Sequence, residues 1–167
     1  NILSEAAQLE IKFGGLGRLL ALTPNSEVNA LAGEHFRSTF GSQNVYELQR
    51  RLKDDDREMM SSNLGGRKLF MPGIRHNDLR RRSQLGWRVV TMLVDDPAAI
   101  RDQMPDEILP LFVLNDAQQL HIWTTMDSPS LQKGARLIAM VTPEYYDNEL
   151  KVSEETTATS QWGTQSE

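Results

Sequence analysis

Apolar positions in the first third of the chain form two short segments separated by one long stripe at helical spacing. Leu19 to Leu22 is an apolar run without alternation, typical of a strand buried on both faces of a parallel sheet. Residues 44–48 (NVYEL) predict a second strand. The helix between them carries one continuous apolar face at helical spacing, formed by Val28, Leu31, Ala32, His35, Phe36 and Phe40. Strand, helix and strand with short links predict half of a parallel βα fold.

The pattern changes after residue 49 and becomes rich in short strands. It predicts a strand at 68–72, a helix at 76–85, a strand at 87–94 and a short helix at 98–103. Two further strands, 108–114 and 119–125, flank the turn sequence NDAQ and predict a β-hairpin. A last strand is expected at 136–142. The predicted fold class is therefore α/β: a partial parallel sheet followed by a small α+β module with a β-hairpin.

Four segments follow from these elements. Residues 1–50 form the parallel βα region, where 4–13 suit a helix that the GGLG sequence ends. Residues 51–66 are expected to be a linker and 67–150 the α+β module. Residues 151–167 are polar and poor in apolar side chains, so a disordered tail is predicted.

The charge is distributed unevenly along the 167 residues. The net charge is -5, yet residues 48–90 carry eleven Lys/Arg against five Asp/Glu, a balance of +6. Such a basic region is typical either of a solvated helix face or of a surface that binds an anionic partner. Only two aromatic residues, Phe70 and Trp87, lie in this region and the total charge is acidic, so nucleic acid is disfavoured as a partner.

Candidates for catalysis or metal binding are weak. The chain has no cysteine, which excludes disulfides and thiolate metal sites. His35, His76 and His121 are unclustered, and the run Asp54 to Asp56 points in different directions on a helix or loop. The GLG at 15–17 lacks the third glycine and the strand-before-helix setting of a dinucleotide loop. We therefore assign no catalytic and no metal-binding residue.

The corner after the first strand is the best candidate site. In a parallel sheet, ligands bind outside the carboxyl ends of the strands, where loops lead into helices. Thr23, Asn25 and Asn29 would place hydroxyl and amide groups there, beside a positive helix end suited to an anion or a ribose. N-capping explains the first two equally well, with Thr23, Asn25 or Ser26 as the cap. Asn29 has no capping role and would bond a ligand or a neighbouring loop.

Residues 14–48, GGLGRLLALTPNSEVNALAGEHFRSTFGSQNVYEL, resemble the second half of the TrkA-N nucleotide-binding domain, also called the RCK domain. The resemblance is greater to the version in the cytoplasmic tail of bacterial sodium/proton antiporters of the monovalent cation/proton antiporter family. Residues 108–142, ending in LQKGARLIAMVT, are similar to the small β-rich module that follows in such tails.

This resemblance implies a non-catalytic cytoplasmic regulatory module with a Rossmann-like first half. It would be attached to the transmembrane antiporter domain of the same polypeptide, at the cytoplasmic face of the inner membrane, and would be a homodimer. The glycine-rich phosphate loop and the ribose-binding acid would lie before residue 1, so we expect no cofactor on this chain alone. NAD(H) or an adenine nucleotide would bind the intact protein, with Asn1 near the adenosine and Thr23, Asn25 and Asn29 at the edge.

Anionic lipid is a further expected partner. A basic surface under the cytoplasmic leaflet gains roughly 1 kcal/mol per suitably placed Lys or Arg. The residues that would contribute are Arg50, Arg51, Lys53, Arg80, Arg81 and Arg82.

Two alternatives stay open from the sequence. One is an RCK-type regulatory subunit of potassium transport, which would normally keep its phosphate loop. The other is a small Rossmann-like oxidoreductase, which would need a catalytic residue that the sequence does not offer.

Overall fold

The computed structural model describes residues 17–49 and 66–150. The described chain forms two compact units, one made of residues 17–47 with Gly66 and Arg67, and the other of Leu48, Gln49 and residues 68–150. Several predictions lie outside the described residues: the helix at 4–13, almost all of the linker and the tail, and the side chains of Asn1, Arg50, Arg51, Lys53 and Asp54 to Asp56.

The first unit contains a parallel strand pair connected through a helix, as the sequence predicts. Strand β1 (Leu19–Ala21) pairs in parallel with β2 (Val45–Glu47), with Ala21 opposite Glu47. Helix α1 (Ser26–Phe40) connects them, followed by a 3-10 turn at Ser42–Asn44. Strand β3 (Arg67–Lys68) completes a sheet of order β1–β2–β3.

The buried face of α1 differs from the prediction. Val28 and Leu31, which the periodicity assigns to the core, are 49% and 55% exposed. The buried residues of this helix are instead Asn29 and Gly33, one turn apart. A Cβ at Gly33 would lie 3.5 Å from Val45 Cγ1, an ordinary contact distance, so α1 packs over β2 at this residue. The prediction that the apolar stripe faces the core is therefore wrong at the N-terminal end of α1.

The second unit is built on an antiparallel sheet of order β4–β7–β5–β6. Its strands are β4 (Arg88–Leu93), β5 (Ile108–Leu114), β6 (Leu120–Ile122) and β7 (Arg136–Val141). The predicted hairpin is confirmed: β5 and β6 are antiparallel, and the Asn115 side chain closes the turn by accepting the Gln119 N–H at 2.9 Å. Pro110 lies where the register of β5 against β7 shifts, a place that suits a residue without an N–H.

The second unit also contains four helical segments. They are α2 (His76–Gln84), α3 (Pro97–Asp102), α4 (Pro143–Tyr145) and a π-helical turn at Tyr146–Leu150. The core beneath them contains Val94, Ile108, Leu137, Val141 and Tyr145, all buried. The two last segments are not anticipated by the sequence pattern.

The strand predicted at 68–72 ends early. β3 stops at Lys68, and Leu69 adds one isolated antiparallel bridge to Thr124. Phe70 then adopts a positive φ of 64°, which no strand allows and which is rare for an aromatic residue. Its ring is buried edge-on against Phe112, with centroids 6.2 Å apart. The buried ring therefore belongs to a turn, at a place where the apolar pattern predicts a strand.

Candidate functional site

The corner between β1 and α1 is formed by residues that bond to one another. Asn25 is the N-cap: its Oδ1 accepts the backbone N–H groups of Glu27 at 2.9 Å and Val28 at 3.2 Å. These are among the donors that every helix leaves without an internal partner at its start. The helix therefore begins at Ser26, and Thr23 and Pro24 precede it.

Thr23 and Asn29 form a compact polar contact that we call the Thr23–Asn29 clasp. The Thr23 backbone N–H donates to Asn29 Oδ1 at 3.0 Å, and the Thr23 hydroxyl lies 2.6 Å from the same oxygen. In return, Asn29 Nδ2 donates to the Thr23 carbonyl at 2.9 Å. Asn29 is only 2% exposed, and these bonds satisfy its amide where water does not reach. The clasp fixes the exit angle of the chain from β1.

The structure thus brings three of the four predicted site residues together and gives each a local role. Asn25 caps the helix and is exposed, whereas Thr23 and Asn29 use their polar atoms on each other. Of the alternatives that the sequence left for Asn29, the bond to a neighbouring loop is the one present. Asn1 lies outside the described residues.

Glu47 is a residue at this edge that the sequence analysis did not single out. It ends β2 in register with Ala21 and is fully buried, at 0% exposure. A Cβ on Gly33 would lie 3.8 Å from Glu47 Oε2, so the carboxylate lies under α1. The sequence shows only a charged residue inside a short predicted strand; its full burial, which is rare for a carboxyl side chain, is visible in the structure alone.

Polar burial is concentrated at this end of the sheet. Among residues 17–49 and 66–150, the buried polar side chains are Asn29, Glu47 and Thr124. The first two belong to the carboxyl edge of the parallel pair, where α1 begins with its positive dipole end. A buried polar group is stabilised by specific partners, and the clasp supplies them for Asn29.

The predicted basic surface is present in part. Within the described residues Arg80 and Arg81 are exposed on α2, while the Arg82 guanidinium lies over the Trp87 ring, 5.0 Å from its centroid. Asp78 accepts the Arg75 backbone N–H at 3.0 Å at the start of this helix. The helix therefore offers two cations to solvent and keeps a third against an aromatic ring.

No three His, Cys, Asp or Glu side chains of residues 17–49 and 66–150 come together as a metal site would require. Over those same ranges, none of the helices combines the length and apolar character needed to cross a bilayer. Comparisons with protein-family models, curated proteins and solved structures found no match to this chain.

Proposed function

We propose that this chain is a non-catalytic regulatory module of a bacterial sodium(cation)/proton antiporter, acting at the cytoplasmic face of the inner membrane. In this proposal its first unit is the C-terminal half of a Rossmann-like nucleotide-binding domain. The observation that carries it is the carboxyl edge of the parallel β1–β2 pair, where the capped start of α1 meets the Thr23–Asn29 clasp. In open α/β folds this edge is where ligands bind.

The clasp supports a division of roles at this edge. Thr23 and Asn29 bond to each other and set the shape of the corner, so they act on a ligand by positioning the helix. Asn25 is exposed at the positive end of α1, and it is the described residue best placed to meet the ribose or phosphate of NAD(H) or an adenine nucleotide. Phosphate contacts would come from a glycine-rich loop elsewhere in the intact protein.

The exposed apolar side chains of the first unit also support a half-domain. Leu22, Val28 and Leu31 are each more than a third exposed near the start of α1. A complete doubly wound domain would cover such residues with further strands and helices. In the proposal, the rest of the nucleotide-binding domain covers them in the intact protein.

Regulation would follow from a shift in populations. A nucleotide that binds one arrangement of the module more tightly than another biases the attached exchanger toward the matching state, by no more than that difference in affinity. No chemical step is needed on this chain. The transport chemistry would take place in the membrane domain.

The first experiment is to read the gene upstream of Asn1. The proposal expects the frame to continue through a glycine-rich strand–turn–helix, preceded by about a dozen apolar segments of roughly 20 residues each. A start codon immediately before Asn1 would contradict it. Calorimetry of the purified full polypeptide with NAD, NADH and adenine nucleotides then tests the ligand, and steady NADH turnover would point to an oxidoreductase instead.

A further inference from the structure

Strand β4 is an edge strand without the usual protection against pairing. Among the described strands it has one neighbour, β7, and no described strand pairs with its other edge. Natural edge strands are commonly protected by a central charge, a proline, a bulge or a very short length. β4 has six residues, RVVTML, with its single charge, Arg88, at the first position.

The backbone groups on the open edge belong to alternate residues. The Val94 N–H donates to the Ala135 carbonyl at 2.8 Å, and the Gly134 N–H donates to the Val94 carbonyl at 2.8 Å, both on the β7 side. Because the direction of backbone groups alternates along an antiparallel strand, Val90 and Met92 also face β7. Val89, Thr91 and Leu93 therefore direct their N–H and C=O groups outward.

The same three residues share one face of the sheet, and this face of β4 is exposed. Val89 is 63% exposed and Leu93 is 56% exposed, values that are high for apolar residues of a strand. Met92 and Val94, on the opposite face, are buried in the core. An exposed apolar row beside an open backbone edge favours addition of another strand.

We propose that β4 pairs antiparallel with β4 of a second copy of this chain, across a two-fold axis at Thr91. In this register Thr91 faces Thr91 of the second copy, and Val89 faces Leu93. This register lets the outward N–H and C=O groups of one strand bond to those of the other. It also keeps the exposed apolar side chains of both strands on one face of a continuous sheet. The inference rests on the second unit alone and is independent of the proposed nucleotide-binding role.

Charge favours this second copy over a parallel arrangement. The strand begins at Arg88 and ends at Leu93, and two exposed acids, Asp95 and Asp96, follow after Val94. Antiparallel self-pairing brings the basic start of each strand beside the acidic end of the other, twice over by symmetry. In this register Arg88 faces Val94 of the second copy, so the attraction acts between the strand ends and not within a directly opposed pair.

The predicted dimer is a weak one. A single pair of six-residue strands buries less surface than the roughly 1,200 Å² of stable interfaces. We therefore expect a concentration-dependent equilibrium, in which dilution of the purified chain gives monomers.

Cysteine cross-linking tests both the interface and its register, because the chain has no cysteine of its own. In a dimer of Thr91→Cys the Cα atoms of the two introduced cysteines would lie about 5.5 Å apart, which is within the range for a disulfide. We expect mild oxidation to give a covalent dimer of Thr91→Cys. In a dimer of Val89→Cys alone, or of Leu93→Cys alone, the two cysteines would lie about 13 Å apart along the strand, so each variant should stay monomeric. An equimolar mixture of the two variants places the two introduced cysteines opposite each other and should cross-link. Equal cross-linking by all three single variants, or none by Thr91→Cys, would overturn the proposal.

A proline gives the second test. Thr91→Pro removes an N–H that faces away from β7, so it deletes a bond to the second copy and none to its own sheet. Sedimentation velocity should show the loss of the dimer for Thr91→Pro at concentrations where Thr91→Val keeps it, with unchanged circular dichroism for both. A wild-type chain that stays monomeric at high concentration would contradict the proposal and leave this edge to a different partner.

Discussion

The Thr23 hydroxyl lies 2.6 Å from the Asn29 side-chain oxygen, across the corner where the chain turns from β1 into α1. This contact has a measurable energy because Asn29 is buried. Asn29→Ala removes one acceptor and one donor and leaves the Thr23 backbone groups without partners from the protein. We expect the first unit to lose about 1–3 kcal/mol of stability, the usual cost of unpaired polar groups.

A double-mutant cycle separates the clasp from the rest of Asn29's packing. Thr23→Val removes the hydroxyl and keeps the shape, and its coupling with Asn29→Ala should be about 0.5–3 kcal/mol. Amide exchange across residues 19–31 is the appropriate readout, since Trp87 and Trp123 report on the second unit. Additive effects of the two substitutions would contradict the assigned bond.

Gly33 and Gly66 should respond in opposite directions to alanine. A Cβ at Gly33 meets its nearest neighbours at ordinary contact distances, 3.5 Å and beyond, and glycine lowers helix stability by about 1 kcal/mol relative to alanine. Gly33→Ala should therefore stabilise the first unit by up to that amount. At Gly66 a Cβ would lie 2.9 Å from the Val45 carbonyl oxygen, so Gly66→Ala should destabilise it by about 1–3 kcal/mol.

Urea unfolding monitored by far-UV circular dichroism compares these two variants directly. A loss of stability in Gly33→Ala would mean that α1 lies closer to β2 than described. Tolerance of Gly66→Ala would show that the backbone at Val45 can move.

Tyr145 should make the second unit sensitive to alkali. Burial raises the pKa of its phenol above the ordinary value of about 10, and the negative charges of Glu149 and then Glu107 raise the pKa further. The folded state therefore favours the neutral phenol. This contribution to stability is fully present below about pH 10 and is lost as the pH rises through the raised pKa.

Tyr145→Phe should reduce the fall in stability above about pH 10, and it should change the stability at neutral pH little. Glu149→Gln should reduce the same fall in part, because it removes the second cause of the shift. Unfolding midpoints measured across alkaline pH provide the comparison. An unchanged slope in Tyr145→Phe would mean that other groups control the alkaline transition.

The exposed cations of α2 should bind acidic membranes weakly. Arg80→Gln and Arg81→Gln should each lower co-sedimentation with phosphatidylserine vesicles about fivefold, corresponding to roughly 1 kcal/mol per charge. Arg101→Gln makes the same charge change on α3 and serves as the matched control. Equal recovery of the wild-type chain with neutral and acidic vesicles would refute this contact.

Strand and helix positions could be predicted where one local signal dominates. β5 occupies Ile108–Leu114 as predicted, because an apolar run with a following turn sequence leaves few alternatives. α1 is likewise where its 3.6-residue periodicity places it. The parallel pairing of β1 and β2 follows from the helix between them, since parallel strands need such a crossover.

Besides the strand at 68–72 that ends early and the two helical segments after β7, the failures concern which side chains the fold buries. Periodicity assigned Val28 and Leu31 to the core of the first unit, but the residues that α1 buries are Asn29, which has bond partners in the clasp, and Gly33. Thr23 and Asn29 could be placed at one corner from the sequence, whereas the bond between them depends on the angle at which the chain leaves β1. The burial of Glu47 depends on the register of β2 and the height of α1 above it, neither of which a local pattern encodes.

The central claim is that this module regulates an exchanger in the same polypeptide, and cation/proton exchange in everted membrane vesicles tests it most directly. Cation-induced dissipation of a proton gradient should be compared between the full polypeptide and a version that lacks residues 1–167. We predict that exchange persists without this region and that its dependence on pH or on added nucleotide is lost. Absence of exchange by the full polypeptide, or identical exchange by both versions under every condition, would contradict the account.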